Sequence, residues 1–261
     1  INAMQESNIR FTLEDIAGLE DVKKALKRII IWPLNYPKRF KDRPIDHVLL
    51  FGPPGTGKTM IAKASANACA KDFFLVAKKN IDSKWSGEGA RLMAALFEIA
   101  KSRGGAIIFL DEVEGMLTSR GEAKNDGGSG ADICTAFLTE MSALEREHDV
   151  LVIAATNRPE LIDSAGRRRF KERIYVPLPD YETRLVLIKN VAAKDAFEFE
   201  LSEKEYNEVA AKTEGFSCDD IVAIVKDASD VVLCQCCEAE DEEKEPPPEI
   251  IKIEHVRLSN R

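Results

Sequence analysis

The apolar run HVLLF, 47–51, stops at GPPGTGKT, where three glycines and two prolines stand before the helical pattern KTMIAKASANACA. No other stretch restricts the possible folds as much. A strand that turns this sharply into a helix presents the helix's first N–H groups to whatever lies in the turn. Gly52, Gly55 and Gly57 allow the loop to wrap with its own N–H groups inward, and the helix N-terminus adds about half a positive charge. Such a cavity suits a polyphosphate. In the pattern G-x-x-x-x-G-K-[ST], Lys58 reaches the β- and γ-phosphates and the Thr59 hydroxyl ligates Mg2+, which makes ATP with Mg2+ the expected ligand. The whole run Gly52, Pro53, Pro54, Gly55, Thr56, Gly57, Lys58, Thr59 and Met60 is assigned to nucleotide binding.

A magnesium nucleotide site also needs a carboxylate at the end of a neighbouring strand. AIIFLDE, 106–112, ends its apolar run in Asp111 and Glu112. Asp111 is expected to hold the metal and Glu112 to polarise the attacking water. Two acids after a strand also suit a plain helix cap, and the phosphate loop is what tips the reading. LVIAATNRPE ends in Thr156 and Asn157, placed to align water or sense the γ-phosphate; a plain turn before Pro159 is the alternative.

From 47 to 176 the runs HVLLF, FFLVA, AIIFL, DVLVIAAT and RIYV alternate with segments of helical periodicity. That alternation predicts a parallel sheet with crossover helices, and successive apolar residues predict helices on both faces. After VPLPD, 176–180, the strands are expected to stop. The segments that follow are helical, with Ser202–Glu205 and Ser217–Asp220 spaced as capping boxes. The expected fold class is therefore α/β, a P-loop parallel sheet followed by a small all-α lid. The expected divisions are a flexible start and tag remnant at 1–10, a nucleotide-binding domain at 11–179, and a lid at 180–261 with an acidic, proline-rich insertion at 238–249.

The formal net charge is −8, and EAEDEEKE, 238–245, accounts for most of it. The near-neutral remainder argues against a nucleic-acid binder with a broad basic face. No apolar stretch is long enough for a membrane span, so a cytoplasmic protein is expected. Cys234, Cys236 and Cys237 crowd near the end of a helix with no histidine close by, a spacing unlike that of zinc sites.

FGPPGTGKT, IIFLDE, AATNRPE and RRRFKERIYVPLPD, in this order, resemble an AAA ATPase. Within that family the motifs are similar to those of the meiotic clade, which holds the ESCRT-disassembling vacuolar-sorting ATPase, spastin, katanin and fidgetin. The resemblance implies a nucleotide-dependent ring hexamer that hydrolyses ATP to remodel or thread a protein polymer, an ESCRT filament or tubulin. It implies that Arg168 and Arg169 complete a neighbour's site, that Lys84 and Trp85 of SKWSGE line the pore, and that Ile16 and Ala17 line the adenine pocket. Gly215 to Asp219 are expected to approach the nucleotide from the lid, with Cys218 where the family usually has glycine.

The stretch 118–141 departs from the clade, since Ala131 and Asp132 stand where two arginines are usual. The loop 125–132 is expected to be mobile, with its helix starting near Ala131. The departure also leaves room for an alternative, a regulatory ATP-binding subunit with little turnover. A nucleic-acid loader is a third reading, disfavoured by the near-neutral core.

Overall fold

The computed structural model describes residues 4–6, 11–40, 46–77, 88–117, 129–144, 150–241 and 250–256. The chain divides into two compact units, one of residues 1–52 and 58–176, the other of 53–57 and 177–261.

In the larger unit, strands β1 (Val48–Phe51), β2 (Asp72–Val76), β3 (Ala106–Leu110), β4 (Val150–Thr156) and β5 (Glu172–Tyr175) form one sheet. Every pairing is parallel and the order is β2-β3-β4-β1-β5. Helices α1 (Glu20–Leu26) and α2 (Trp32–Asn35) precede the sheet; parallel neighbours require crossovers, and α3 (Lys58–Cys69), α4 (Glu88–Ser102), α5 (Glu114–Leu117), α6 (Ser129–Leu144) and α7 (Ser164–Arg169) lie on them.

Alternate residues of β1 to β4 enter different cores. Leu49, Phe74, Ile108 and Val152 join Phe97 of α4 and Phe137 of α6 on one face. Leu50, Phe73, Phe109 and Ile153 join Ile61 of α3 and Ile30 on the other. Phe73 and Phe109 stack with ring centres 5.9 Å apart, and Phe97 meets Phe137 edge-on at 6.2 Å. Burial on both faces is why β3 and β4 read as unbroken apolar runs.

Two expectations change in this unit. Part of the start taken as flexible is paired: Met4 is buried, Gln5 forms an antiparallel bridge with Phe74, and the Glu6 N–H donates to Phe73 O at 3.0 Å. Those contacts cover the open edge of β2, which otherwise presents unpaired backbone groups. Helix α6 begins at Ser129, two residues before the expected start. The first turn's N–H groups lack intrahelical partners wherever the helix starts, and Asp132 there favours the positive end of the helix dipole. Residues 125–128 of that loop lie outside the described residues.

The second unit is built on helices α8 (Tyr181–Ala192), α9 (Glu203–Lys212) and α10 (Cys218–Asp241). Their apolar faces meet through Ile188, Ala192, Val209, Ala210, Ile221 and Val225. Each N-terminus is closed by a side chain. Asp180 Oδ1 accepts from the Thr183 N–H at 2.9 Å; Ser202 and Glu205 form a reciprocal capping box; Ser217 Oγ accepts from the Asp220 N–H at 3.2 Å. The buried Arg184 guanidinium donates twice to Ala210 O and once to Pro179 O, each at 3.1 Å.

The helical lid is not wholly α. Strands β6 (Glu198–Phe199) and β7 (Ile250–Ile251) form a parallel pair two residues long. The acidic run also starts later than expected as a linker, because α10 continues through Glu238 to Asp241. Ala and Glu are good helix formers, and a helix already begun extends at little cost. Residues 242–249 lie outside the described residues.

Candidate nucleotide site

Because the sheet is parallel, the C-terminal ends of β3, β4 and β1 lie side by side along one edge. Each of those ends carries part of the motif set. β1 passes into Gly52, β3 into Asp111 and Glu112, and β4 ends at Thr156 before Asn157. Gly52 has no room for a side chain: a Cβ there would collide with Val176 O and crowd the Tyr175 ring at 3.4 Å. Gly57 has φ +85° with open space beyond its Cα, so its requirement is conformational rather than steric.

Lys58 opens α3 and is buried, and its Nζ donates to Gly52 O at 2.9 Å across the mouth of the loop. Thr59 Oγ1 lies 3.3 Å from Asp111 Oδ2. A hydroxyl and a carboxylate at that separation fit one small hard cation, which typically takes one or two protein oxygens and completes its shell with water and phosphate. The donor set therefore suits Mg2+. Among the described residues there is no self-sufficient cluster of three His, Cys, Asp or Glu placed to hold a metal.

The acidic pair is held by backbone bonds to both neighbouring strands. The Asp111 N–H donates to Val76 O at 2.9 Å and the Val113 N–H to Ala155 O at 3.0 Å. Between them Glu112 adopts φ +50°, a left-handed conformation that costs a non-glycine residue energy. Its N–H donates to Asp111 Oδ1 at 3.0 Å. The strained turn separates the two roles, leaving Glu112 exposed while Asp111 faces Thr59. The sequence gives no sign of this conformation.

Thr156 lies at the end of β4, where it was expected beside the phosphates. It is buried, and its Oγ1 accepts from the Arg158 N–H at 3.0 Å, so it stabilises the turn. Asn157 is exposed directly after it. Ile16 is buried and Ala17 half-buried in the larger unit, just before the left-handed pair Gly18 and Leu19. Arg168 is exposed and Arg169 half-buried on α7, a helix whose start is fixed by Asp163. Lys84 and Trp85 lie outside the described residues.

Within the second unit, loop residue Gly55 touches the start of α10. The Asp219 N–H donates to Gly55 O at 3.2 Å, and a Cβ on Gly55 would press on Ser217 Oγ at 2.5 Å. Next to Ser217, burial, reinforced by the Asp219 carboxylate, pushes the Cys218 thiol up to about 11.

A glycine-rich strand-to-helix loop and a neighbouring strand-end carboxylate, set on this sheet order, define the P-loop nucleoside-triphosphatase class. Residues 48–178 match the profile of the ATPase family associated with various cellular activities (AAA), and the chain belongs to that family. It is 44% identical over 230 residues to the FIGL1 AAA-domain protein of Arabidopsis thaliana, an alignment covering 86% of this chain and 33% of that protein. It is 42% identical over 233 residues to spastin of Xenopus laevis, covering 88% and 38%. The crystal structure of the FIGL-1 AAA domain in complex with ADP superimposes with TM-score 0.85 at 30% identity, covering 99% of this chain and 88% of that one. The chain spans about a third of the length of the curated relatives it matches. These relatives agree with the clade inferred from the motifs.

Proposed function

We propose that this chain is the ATP-hydrolysing domain of a ring-forming enzyme that remodels a protein polymer. The observation that carries the reading is the Thr59 hydroxyl donating to Asp111 Oδ2 at 3.3 Å, a hydroxyl and a carboxylate 52 positions apart brought together at the ends of α3 and β3. The likeness to a FIGL-1 domain crystallised with ADP supports the same ligand class here.

In this reading the N–H groups of the loop and of the first turn of α3 receive the phosphates. Lys58, already aimed across the loop mouth by Gly52 O, transfers its ammonium to a phosphate oxygen. Thr59 and Asp111 would hold Mg2+, which when bound neutralises charge between the β- and γ-phosphates. Glu112 accepts a proton from the attacking water, and Asn157 orients that water from the end of β4. Ile16 and Ala17 enclose the base. Arg168 and Arg169 stabilise charge in the neighbouring subunit's site, and Lys84 and Trp85 grip the substrate in the pore. The likeness to spastin and FIGL1 favours microtubules over an ESCRT filament as the polymer, with a cytoplasmic location. Among the described residues no helix is long and apolar enough to cross a membrane.

The test measures magnesium–ATP binding and phosphate release against protein concentration. Binding that disappears in Lys58→Ala, with specific activity rising as the protein assembles, is the expected result. Turnover independent of concentration, with Arg168→Ala and Arg169→Ala fully active, would remove the ring from the reading.

A further inference from the structure

We infer that Arg173 is a positioning residue for the arginine-bearing helix α7. The inference rests on the proposed role of Arg168 and Arg169 in a neighbour's site. Helix α7 has only six residues, too few to hold its own orientation, and its C-terminal end is closed by a long backbone bond, the Phe170 N–H donating to Arg167 O at 3.3 Å. At its start, Asp163 Oδ1 accepts from the Ser164 N–H at 2.6 Å, and the Asp163 N–H is fixed to Leu117 O at 2.9 Å. At its end, Phe170 is buried and stacks on Phe137 with centroids 6.5 Å apart.

Arg173, on β5, closes the remaining freedom. Its Nη2 donates to Arg167 O at 3.0 Å and its Nε to Phe170 O at 3.2 Å, so one planar guanidinium ties the last turn of α7 to the residue that anchors it. A fourth cation beside Arg167, Arg168 and Arg169 is unfavourable by charge alone. Carbonyl oxygens at the helix C-terminus offset that repulsion, and the rigid fork reaches two of them at once, which a lysine ammonium cannot do with the same definition. Strand β5 is itself pinned, since Lys171 Nζ lies 3.1 Å from Asp46 Oδ1 and Val48 to Phe51 pair along it. The position of Arg168 and Arg169 is thus referred to the central sheet through Arg173. Among the described residues Arg168 is braced within its own helix, its Nε donating to Ser164 O at 3.2 Å and its Nη2 to Ser164 Oγ at 3.5 Å.

The experiment measures kcat and KM for ATP at assembling concentrations in the wild type, Arg168→Ala, Arg169→Ala, Arg173→Ala, Arg173→Lys and the Arg168→Ala, Arg173→Ala double variant. Nucleotide affinity of the dissociated protein and thermal unfolding are measured alongside. A group that acts by placing another loses about 10–100-fold in kcat on removal, because small misplacements of a catalytic cation are costly. Arg173→Ala should show that loss with KM and nucleotide affinity unchanged, Arg173→Lys should recover part of it, and the double variant should fall no further than the worse single one. Wild-type kcat in Arg173→Ala, or losses that multiply in the double variant, overturns the inference. If Arg173→Ala unfolds, Arg173→Lys decides: reduced kcat at unchanged KM supports the positioning role, and full activity refutes it. Full activity of both Arg168→Ala and Arg169→Ala would instead strike the underlying reading, which separates the two failures.

Discussion

The two units solve the problem of specifying a fold differently. In the larger one, β1, β3 and β4 are buried on both faces and organised by continuous apolar runs, while the chemistry is confined to the edge where the strands end. In the smaller one, three amphipathic helices share a modest core, and their starts are set by Asp180, Ser202 and Ser217. Burial defines the first unit and local hydrogen bonds punctuate the second. The difference teaches where substitutions should act: on turnover at the sheet edge, on global stability within the sheet, and on local order in the helical unit.

The largest effect should come from the sheet edge without touching stability. Glu112→Gln is expected to lower kcat by about 10²–10⁴-fold while leaving nucleotide affinity and the unfolding midpoint unchanged. Phosphate release and nucleotide titration check it, and a fall in stability of the same relative size would erase the separation between edge and core. Next comes the sheet interior, where Phe109 is fully buried and stacks on Phe73. Phe109→Ala should cost about 3–5 kcal/mol in denaturant unfolding.

In the helical unit the corresponding loss is smaller and local. Ser202→Ala removes one half of a capping box and should cost about 1 kcal/mol, seen as faster hydrogen exchange in α9 and not in β1, β3 or β4. Slower turnover without local opening would show that the caps serve catalysis instead. The smallest expected effect is a pH dependence confined to this unit. Hydrogen bonds from the Thr183 side chain and N–H hold Asp180 below its ordinary value of 3.8, and those from Ser202 hold Glu205 below 4.5. A depressed carboxylate contributes its full stabilisation above its ordinary value and loses it as the pH falls through the folded one. Protection against exchange in α8 and α9, relative to the intrinsic rate at each pH, should therefore fall as the pH drops below about 4, and Ser202→Ala should flatten the response in α9 alone.

Most of the fold was legible because its signals are short-range. The runs HVLLF, AIIFL and DVLVIAAT are apolar on successive residues over 48–51, 106–110 and 150–155, and the boundaries of β1, β3 and β4 depart from these by one residue at most. The pairs Ser202–Glu205 and Ser217–Asp220 were legible for the same reason, their partners lying three residues apart. Strands β6 and β7 were not, because two residues carry no detectable period and their pairing joins segments about fifty positions apart. The role of Arg173 was equally hidden, since a surface arginine in RRRFKERIYV looks like one more cation until two backbone carbonyls are found beneath it.

By itself the sequence determined the loop from Gly52 to Thr59, the acidic pair after β3 and the parallel α/β class, because each depends on residue type and spacing within a few positions. Tertiary structure decided which strand ends became neighbours. Only the order β3-β4-β1 brings Thr59 and Asp111 to 3.3 Å and turns Thr156 inward beside an outward Asn157. It also forces Glu112 into a left-handed turn that no local preference favours. The reason is physical: local patterns set the conformation of a segment, whereas its partners follow from the shared burial of all the segments, which no single one encodes.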